Sequence, residues 1–183
     1  MRPLLLAIAL SGAAALAQEP GPPPAAEPLD RILVVVGERI VTVTDLRREV
    51  WMAGLDAAEP GLLGLARPDP LERAVDAAIL RGMAGDVRVY QPTPEAVAAR
   101  LERLRSAVPD PAEWAVQLRS VGLDEDRLAG WVYSRLVVER YLGRAMGAVE
   151  TADAAAVVAR ARTILDEQRT RVVIRVVERP AWD

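Results

Sequence analysis

Residues 30–50, DRILVVVGERIVTVTDLRREV, decide the fold of this chain. Two short runs of mostly β-branched residues, 32–36 and 40–43, flank a glycine-containing turn, and this pattern predicts a β-hairpin. Thr44 is predicted to cap a helix directly after the hairpin, because a threonine oxygen accepts hydrogen bonds from the first helical N–H groups. Asp45 then stands in the first turn, where the helix dipole favours a negative charge. The chain therefore opens with two strands and a helix.

Apolar residues at helical spacing continue through most of the remaining chain. They predict six helices in all, the last capped by Thr151, at residues 44–54, 70–83, 93–108, 111–121, 124–146 and 151–168. An apolar run at 171–178 predicts a third strand, which we expect to return to the hairpin because a hairpin alone is marginally stable in water. The predicted fold is mainly α, a helical bundle with a small β-sheet formed by an N-terminal hairpin and a C-terminal strand.

One segment between the predicted helices is ambiguous. Residues 56–69 are rich in glycine and proline, which predicts a loop. Leu62, Leu63 and Leu65 are unusual there. Either these leucines are tucked onto the core, or they form part of an exposed apolar patch.

The first residues resemble a secretory leader. Residues 1–17 combine a positive start at Arg2, an apolar run and small residues before Ala17, which predicts a signal peptide cleaved after Ala17. The apolar run is too short for a bilayer span, which needs roughly 20 residues. Residues 18–28 form a proline-rich linker that we expect to be extended. One domain, residues 29–183, is expected to follow, exported and not membrane-spanning after cleavage.

The amino-acid composition excludes most of the usual kinds of catalytic and metal site. The chain has no cysteine, histidine or lysine, so the usual nucleophile triads, zinc sites, phosphate-binding loops and Schiff bases lack their residues. A formal net charge of −3 gives no basic footprint for nucleic acid. We therefore expect no catalytic residues, cofactor, metal or nucleic-acid partner. A pair of carboxylates acting on a glycosidic bond stays open, because such residues can be far apart in sequence.

Aromatic and methionine side chains suggest a binding surface. Trp114 and Trp131 are predicted to be core residues, because large aromatic side chains more often belong to the core than to a binding surface. Methionine and aromatic side chains together can repack against varied apolar partners. This favours one region as a client-contacting patch, with six residues: Trp51, Met52, Leu55, Leu62, Leu63 and Leu65.

The order of these segments is similar to that of a known family. The matching stretches are DRI at 30–32, VVV at 34–36, GE at 37–38, IVT at 40–42, TDL at 44–46, LERAVD at 71–76, TPEAV at 93–97, LERL at 101–104, LRSVGL at 118–123 and LVVERYL at 136–142. Together they resemble the SurA-like periplasmic chaperones, a family that often carries parvulin-type prolyl isomerase domains. The resemblance covers roughly residues 29–147.

The resemblance implies an N-terminal chaperone module that shields unfolded polypeptides, often outer-membrane proteins, in the periplasm. Two departures bear on activity: no parvulin domain follows the helix predicted to end near Met146, and the histidines used by that domain are absent. The absence of phenylalanine suggests a weaker apolar surface. We therefore expect a non-catalytic periplasmic chaperone. The alternatives are an accessory envelope protein that binds one dedicated partner, and a degenerate peptidyl-prolyl isomerase.

Overall fold

The computed structural model describes residues 30–147 and 153–178. The elements in chain order are β1 (Ile32–Val36), β2 (Arg39–Thr42), α1 (Val43–Leu55), α2 (Leu62–Ala66), α3 (Pro70–Ala84), a 3-10 helix (Arg88–Tyr90), α4 (Pro94–Ser106), α5 (Pro111–Ser120), α6 (Glu125–Met146), α7 (Ala154–Arg169) and β3 (Ile174–Val176). A mainly α fold with a small antiparallel sheet is confirmed. The predicted leader and linker, residues 1–28, lie outside the described residues.

The sheet joins the two ends of the described chain. Its strand order is β2-β1-β3, and β1 pairs antiparallel with both neighbours. Val35 lies at the centre, opposite Ile40 on one side and Arg175 on the other. The C-terminal strand returns to the hairpin, as predicted, and it completes the sheet within the same chain, which the sequence alone left open. One face of the sheet packs on α1 and α3 through Leu33, Val34, Val36, Val41, Leu46, Ala74, Val75 and Ile79.

The cap of α1 differs from the prediction. Thr42, not Thr44, is the N-cap: its Oγ1 accepts a hydrogen bond from the Asp45 N–H at 3.3 Å. The Asp45 carboxylate in turn accepts one from the Thr42 N–H at 3.0 Å. This reciprocal arrangement is a capping box, which satisfies two N–H groups that the first turn leaves without partners. The second strand therefore ends at Thr42, and Thr44 lies within the first turn.

The prediction of a loop over residues 56–69 is wrong for α2. Gly61 gives this five-residue helix no side-chain cap, so its own sequence stabilises it little. Burial supplies the stability instead, because Leu63 is fully buried against Leu165 and its neighbours on α7. Leu65, on the opposite side of α2, is 46% exposed.

The last helix docks through ion pairs. Asp153 caps α7 by accepting a hydrogen bond from the Ala156 N–H at 2.7 Å, whereas the predicted cap, Thr151, lies outside the described residues. The buried Asp76 carboxylate on α3 accepts hydrogen bonds from Arg67 at 2.7 Å and from Arg169 of α7 at 2.5 Å.

α6 lies at the centre, as predicted, because its side chains enter both the cluster around Trp114 and the cluster facing α7.

Candidate functional site

An open groove of about 450 Å³ lies where the second half of α1 faces α5 and the turn between α4 and α5. We call it the Trp51 groove. Its lining residues are Val50, Trp51, Gly54, Leu55, Ala107, Val108, Pro109, Glu113 and Gln117. Most of these side chains are apolar, and Val50 is 46% exposed. The groove therefore presents accessible apolar surface to solvent.

The indole of Trp51 is held from two sides. Its Nε1–H donates to the Gln117 side-chain oxygen at 3.0 Å, and the Gln117 amide donates to the Glu113 carboxylate at 3.0 Å. Its ring packs on Trp114 with centroids 5.8 Å apart and planes tilted by 44°, a favourable aromatic geometry. Trp114 is itself fixed, because its Nε1–H donates to Glu125 at 2.9 Å. The indole wall of the groove is thus set before any ligand arrives.

Local sequence explains how these side chains come to face each other. Asp110 caps α5 and Pro111 occupies its first position, so the helix begins at a fixed point. Glu113 and Gln117 then lie four residues apart on one face of α5. Trp51 and Leu55 have the same spacing on α1. Two helical faces, each built from residues four apart, therefore form the opposing walls.

A buried ionic cluster holds α1 in place just before Trp51. Glu49 is 5% exposed and accepts hydrogen bonds from Arg135 of α6 at 2.5 Å and from Arg73 of α3 at 3.3 Å. Arg73 also donates to the Pro68 carbonyl at 2.6 Å. Because these bonds join α1, α3 and α6, they fix the orientation of the helix that carries Trp51.

The predicted client patch is divided by the fold. Trp51 and Leu55 line the Trp51 groove, but Met52 is 3% exposed and points into the core. Leu62 and Leu63 pack in the separate cluster that faces α7, whereas Leu65 is exposed on α2. Of the six residues, two share the groove, and the buried Met52 and Leu63 have no surface to offer a client in this conformation.

Sequence reasoning missed several lining residues of the groove. Val108, Pro109 and Gln117 come from a turn and a helix more than 50 positions after Trp51. Trp51 and Gln117 are 66 positions apart, and no local pattern links them. The proline at 109 and the capped start of α5 mark the turn, but they do not indicate which helix it faces. As predicted, Trp114 is a core residue at 6% exposure.

A smaller cavity of about 80 Å³ contains two carboxyl groups with raised pKa values. Burial raises the pKa of Glu139, and the charges of Arg135 and Arg100 oppose that shift. Burial also raises the pKa of Asp56, although Asp56 forms an ion pair with Arg100. A Cβ added at Gly61 would lie 2.7 Å from the Glu139 Oε1, so this carboxylate lies against the backbone. The cavity is far smaller than ordinary ligand pockets.

The lining of the Trp51 groove suits the binding of an apolar segment. Among its nine lining residues, Glu113 alone is charged, so an apolar segment with a basic neighbour is complementary to the groove. Across residues 30–147 and 153–178, no cluster of three or more acidic residues has a geometry that could hold a metal ion. In the same ranges, no helix is both long enough and apolar enough to span a membrane.

Comparisons with protein-family models, with curated proteins and with solved structures found no match to this chain. The similarity to the SurA-like family therefore remains a prediction from residue order. The Trp51 groove is the feature of the described residues that bears most directly on that prediction.

Proposed function

We propose that this protein is a periplasmic chaperone that binds unfolded polypeptides, among them outer-membrane proteins, and catalyses no reaction. The observation that carries the proposal is the Trp51 groove, an open groove whose lining side chains are mostly apolar and whose indole wall is fixed by hydrogen bonding. The leader pattern of residues 1–17 supports export, and the resemblance of the hairpin and helices supports the chaperone class.

The groove suits an unfolded client because its contacts are not specific to one side chain. Val50, Leu55 and the Trp51 ring offer apolar area, and burying one client leucine or valine there contributes about 1.5–3 kcal/mol. Association itself costs several kcal/mol in lost freedom of motion. One such contact does not offset that cost, so binding needs several apolar client side chains at once. The small surplus keeps binding weak and reversible, which lets a client leave to fold.

The direct test is light scattering. A denatured outer-membrane protein is diluted into buffer with and without the mature protein, and the assay is repeated with an unrelated unfolded client. The proposal expects suppressed aggregation of both clients at modest molar excess. If the aggregation of neither client is suppressed, the result would contradict chaperone activity and favour the accessory-protein alternative. N-terminal sequencing of the envelope-fraction protein tests export and is expected to begin at Gln18.

A matched pair of variants tests the groove itself. Val50 in the groove and Val89 in the 3-10 helix are 46% and 44% exposed. Val50→Ser and Val89→Ser therefore remove similar exposed apolar groups. We expect Val50→Ser to weaken aggregation suppression and Val89→Ser to leave it unchanged, with equal circular dichroism spectra. Equal effects of the two substitutions would place client binding elsewhere.

A further inference from the structure

The third strand has one side bonded to β1. The Val173 carbonyl accepts a hydrogen bond from the Gly37 N–H at 2.9 Å, and the Val177 N–H donates to the Leu33 carbonyl at 2.8 Å. Arg175 lies opposite Val35 between these two bonded pairs. In an antiparallel ladder, bonded and non-bonded pairs alternate. The residues of β3 that face β1 are therefore 173, 175 and 177.

Ile174 and Val176 consequently direct their N–H and C=O groups away from β1. The sheet order β2-β1-β3 places β3 at the edge, and no strand of the described residues pairs with its outer side. Two donors and two acceptors thus stand in a row along this edge. Such a row is a template for another extended chain.

The side chains along this edge are unusually apolar for a surface strand. Val173, Val176 and Val177 are 75%, 53% and 57% exposed. Sheet edges are commonly protected by charged side chains, and Arg175 is the one basic group within β3. Arg175 is exposed and makes no salt bridge with a carboxylate of residues 30–147 or 153–178.

Arg175 determines which kind of strand is complementary to this edge. An added strand bonded to Ile174 and Val176 would place its own residue opposite Arg175 in a non-bonded pair, where Cα atoms are about 4.5 Å apart and side chains are close. A glutamate or aspartate of the added strand at this position would form an ion pair with Arg175. A second copy in the fully overlapping antiparallel register would instead place Arg175 against its counterpart, and like charges directly opposite are unfavourable.

We infer that the outer edge of β3 is a second binding site, which takes an extended apolar polypeptide segment with an acidic side chain as a fourth strand of the sheet. The backbone groups of Ile174 and Val176 hold the segment, and Arg175 selects its charge. This site goes beyond the proposed function, because it lies on the sheet edge, does not involve the Trp51 groove and selects its ligand by charge.

The first experiment measures charge selection. A dye-labelled nine-residue peptide of alternating valine and glutamate is titrated by fluorescence anisotropy, and a valine–lysine peptide is the control. A cross-strand ion pair changes affinity by about two- to fivefold, so the glutamate peptide should bind tighter by that factor. Arg175→Glu should reverse the order. Equal affinities of the two peptides for the unmodified protein would overturn the role of Arg175.

The second experiment tests the backbone bonds. Val176→Pro removes the outward N–H, while the bonds to β1 at residues 173, 175 and 177 remain, and proline is tolerated at such edge positions. Loss of one hydrogen bond should weaken binding about fivefold. Val176→Thr keeps the N–H and the β-branched shape, so it should bind as the unmodified protein does.

Hydrogen exchange identifies where the peptide binds. The amides of Ile174 and Val176 should exchange rapidly in the free protein and slow when the peptide is bound. Protection of both amides in the free protein would overturn the inference, because another segment of the chain or a second copy then covers the edge. Unchanged peptide binding by the Val176→Pro variant would also overturn the inference. Val50→Ser should leave peptide binding intact, so failure of this site and failure of the Trp51 groove are distinguishable.

Discussion

Replacing Glu49 with glutamine should destabilise the fold severely. Its carboxylate is 5% exposed and accepts hydrogen bonds from two arginines, Arg73 and Arg135. Glutamine keeps the shape but is neutral, and its amide nitrogen would face an arginine donor. Arg73 retains backbone acceptors, including the Pro68 carbonyl, so the glutamine oxygen should stay on Arg135. Two buried guanidinium groups then share a neutral amide in place of the carboxylate that compensated their charge. Removing one partner of a buried ion pair costs about 3–5 kcal/mol.

The cost is large relative to total stability, which is about 5–15 kcal/mol for a domain. For a chain of this length it should lower Tm by roughly 6–20 °C, because 1 kcal/mol corresponds to about 2–4 °C. Urea unfolding followed by tryptophan fluorescence gives the free energy of unfolding. An unchanged slope of that free energy against urea concentration would show that the substitution changes stability and not the surface exposed on unfolding.

The matched control for Glu49→Gln is Glu178→Gln. Glu178 pairs with Arg31 at 2.8 Å, but its side chain is 44% exposed, and such surface pairs contribute about 0–1 kcal/mol. Burial, not distance, therefore separates the two substitutions. A loss below about 1 kcal/mol for Glu49→Gln, comparable with the control, would refute the view that this cluster holds α1 in position.

Two other substitutions test local features. Glu139→Gln should stabilise the protein at pH 7, because burial raises the pKa of Glu139 and its ionised form therefore opposes folding above that pKa. The gain in the free energy of unfolding should disappear below the ordinary glutamate pKa of 4.5, where the Glu139 carboxyl is protonated in both the folded and the unfolded state. An equal gain at pH 7 and pH 3.5 would contradict this cause. Thr42→Ala should lower the free energy of unfolding, measured in urea, by about 1 kcal/mol, because Thr42 provides the capping oxygen. Thr44→Ala should lower it clearly less. A larger loss for Thr44→Ala than for Thr42→Ala would indicate that Thr44 is the cap.

Local chemistry made most of the fold predictable. The turn at Gly37 has a φ of 57°, which glycine adopts without strain, and the prolines at the starts of α3, α4 and α5 mark helix beginnings directly. The return of β3 followed from the instability of a lone hairpin. Thr42 was missed because two threonines lie close to Asp45, and only the spacing of three residues distinguishes the capping box.

The rest depended on tertiary contacts that local patterns do not contain. α2 has glycine at its cap and within it, and burial of Leu63 against α7, about 100 positions later, is what stabilises it. The Trp51 groove likewise combines α1 with a turn near Pro109. Sequence reasoning identified Trp51 and Leu55 by residue type, but it could not separate them from the buried Met52, because adjacent helical positions point in different directions.

The placement of β3 beside β1 also determines how this domain resists force. Arg31 precedes β1, Glu178 follows β3, and their side chains form a salt bridge at 2.8 Å, so both ends of the described chain meet at one corner. Tension applied between those ends acts first on this salt bridge. It then breaks the hydrogen bonds of the antiparallel pair one after another, beginning at the Leu33 carbonyl, which accepts from the Glu178 and Val177 N–H groups. The strand should therefore peel away at low load, before the helices behind it yield.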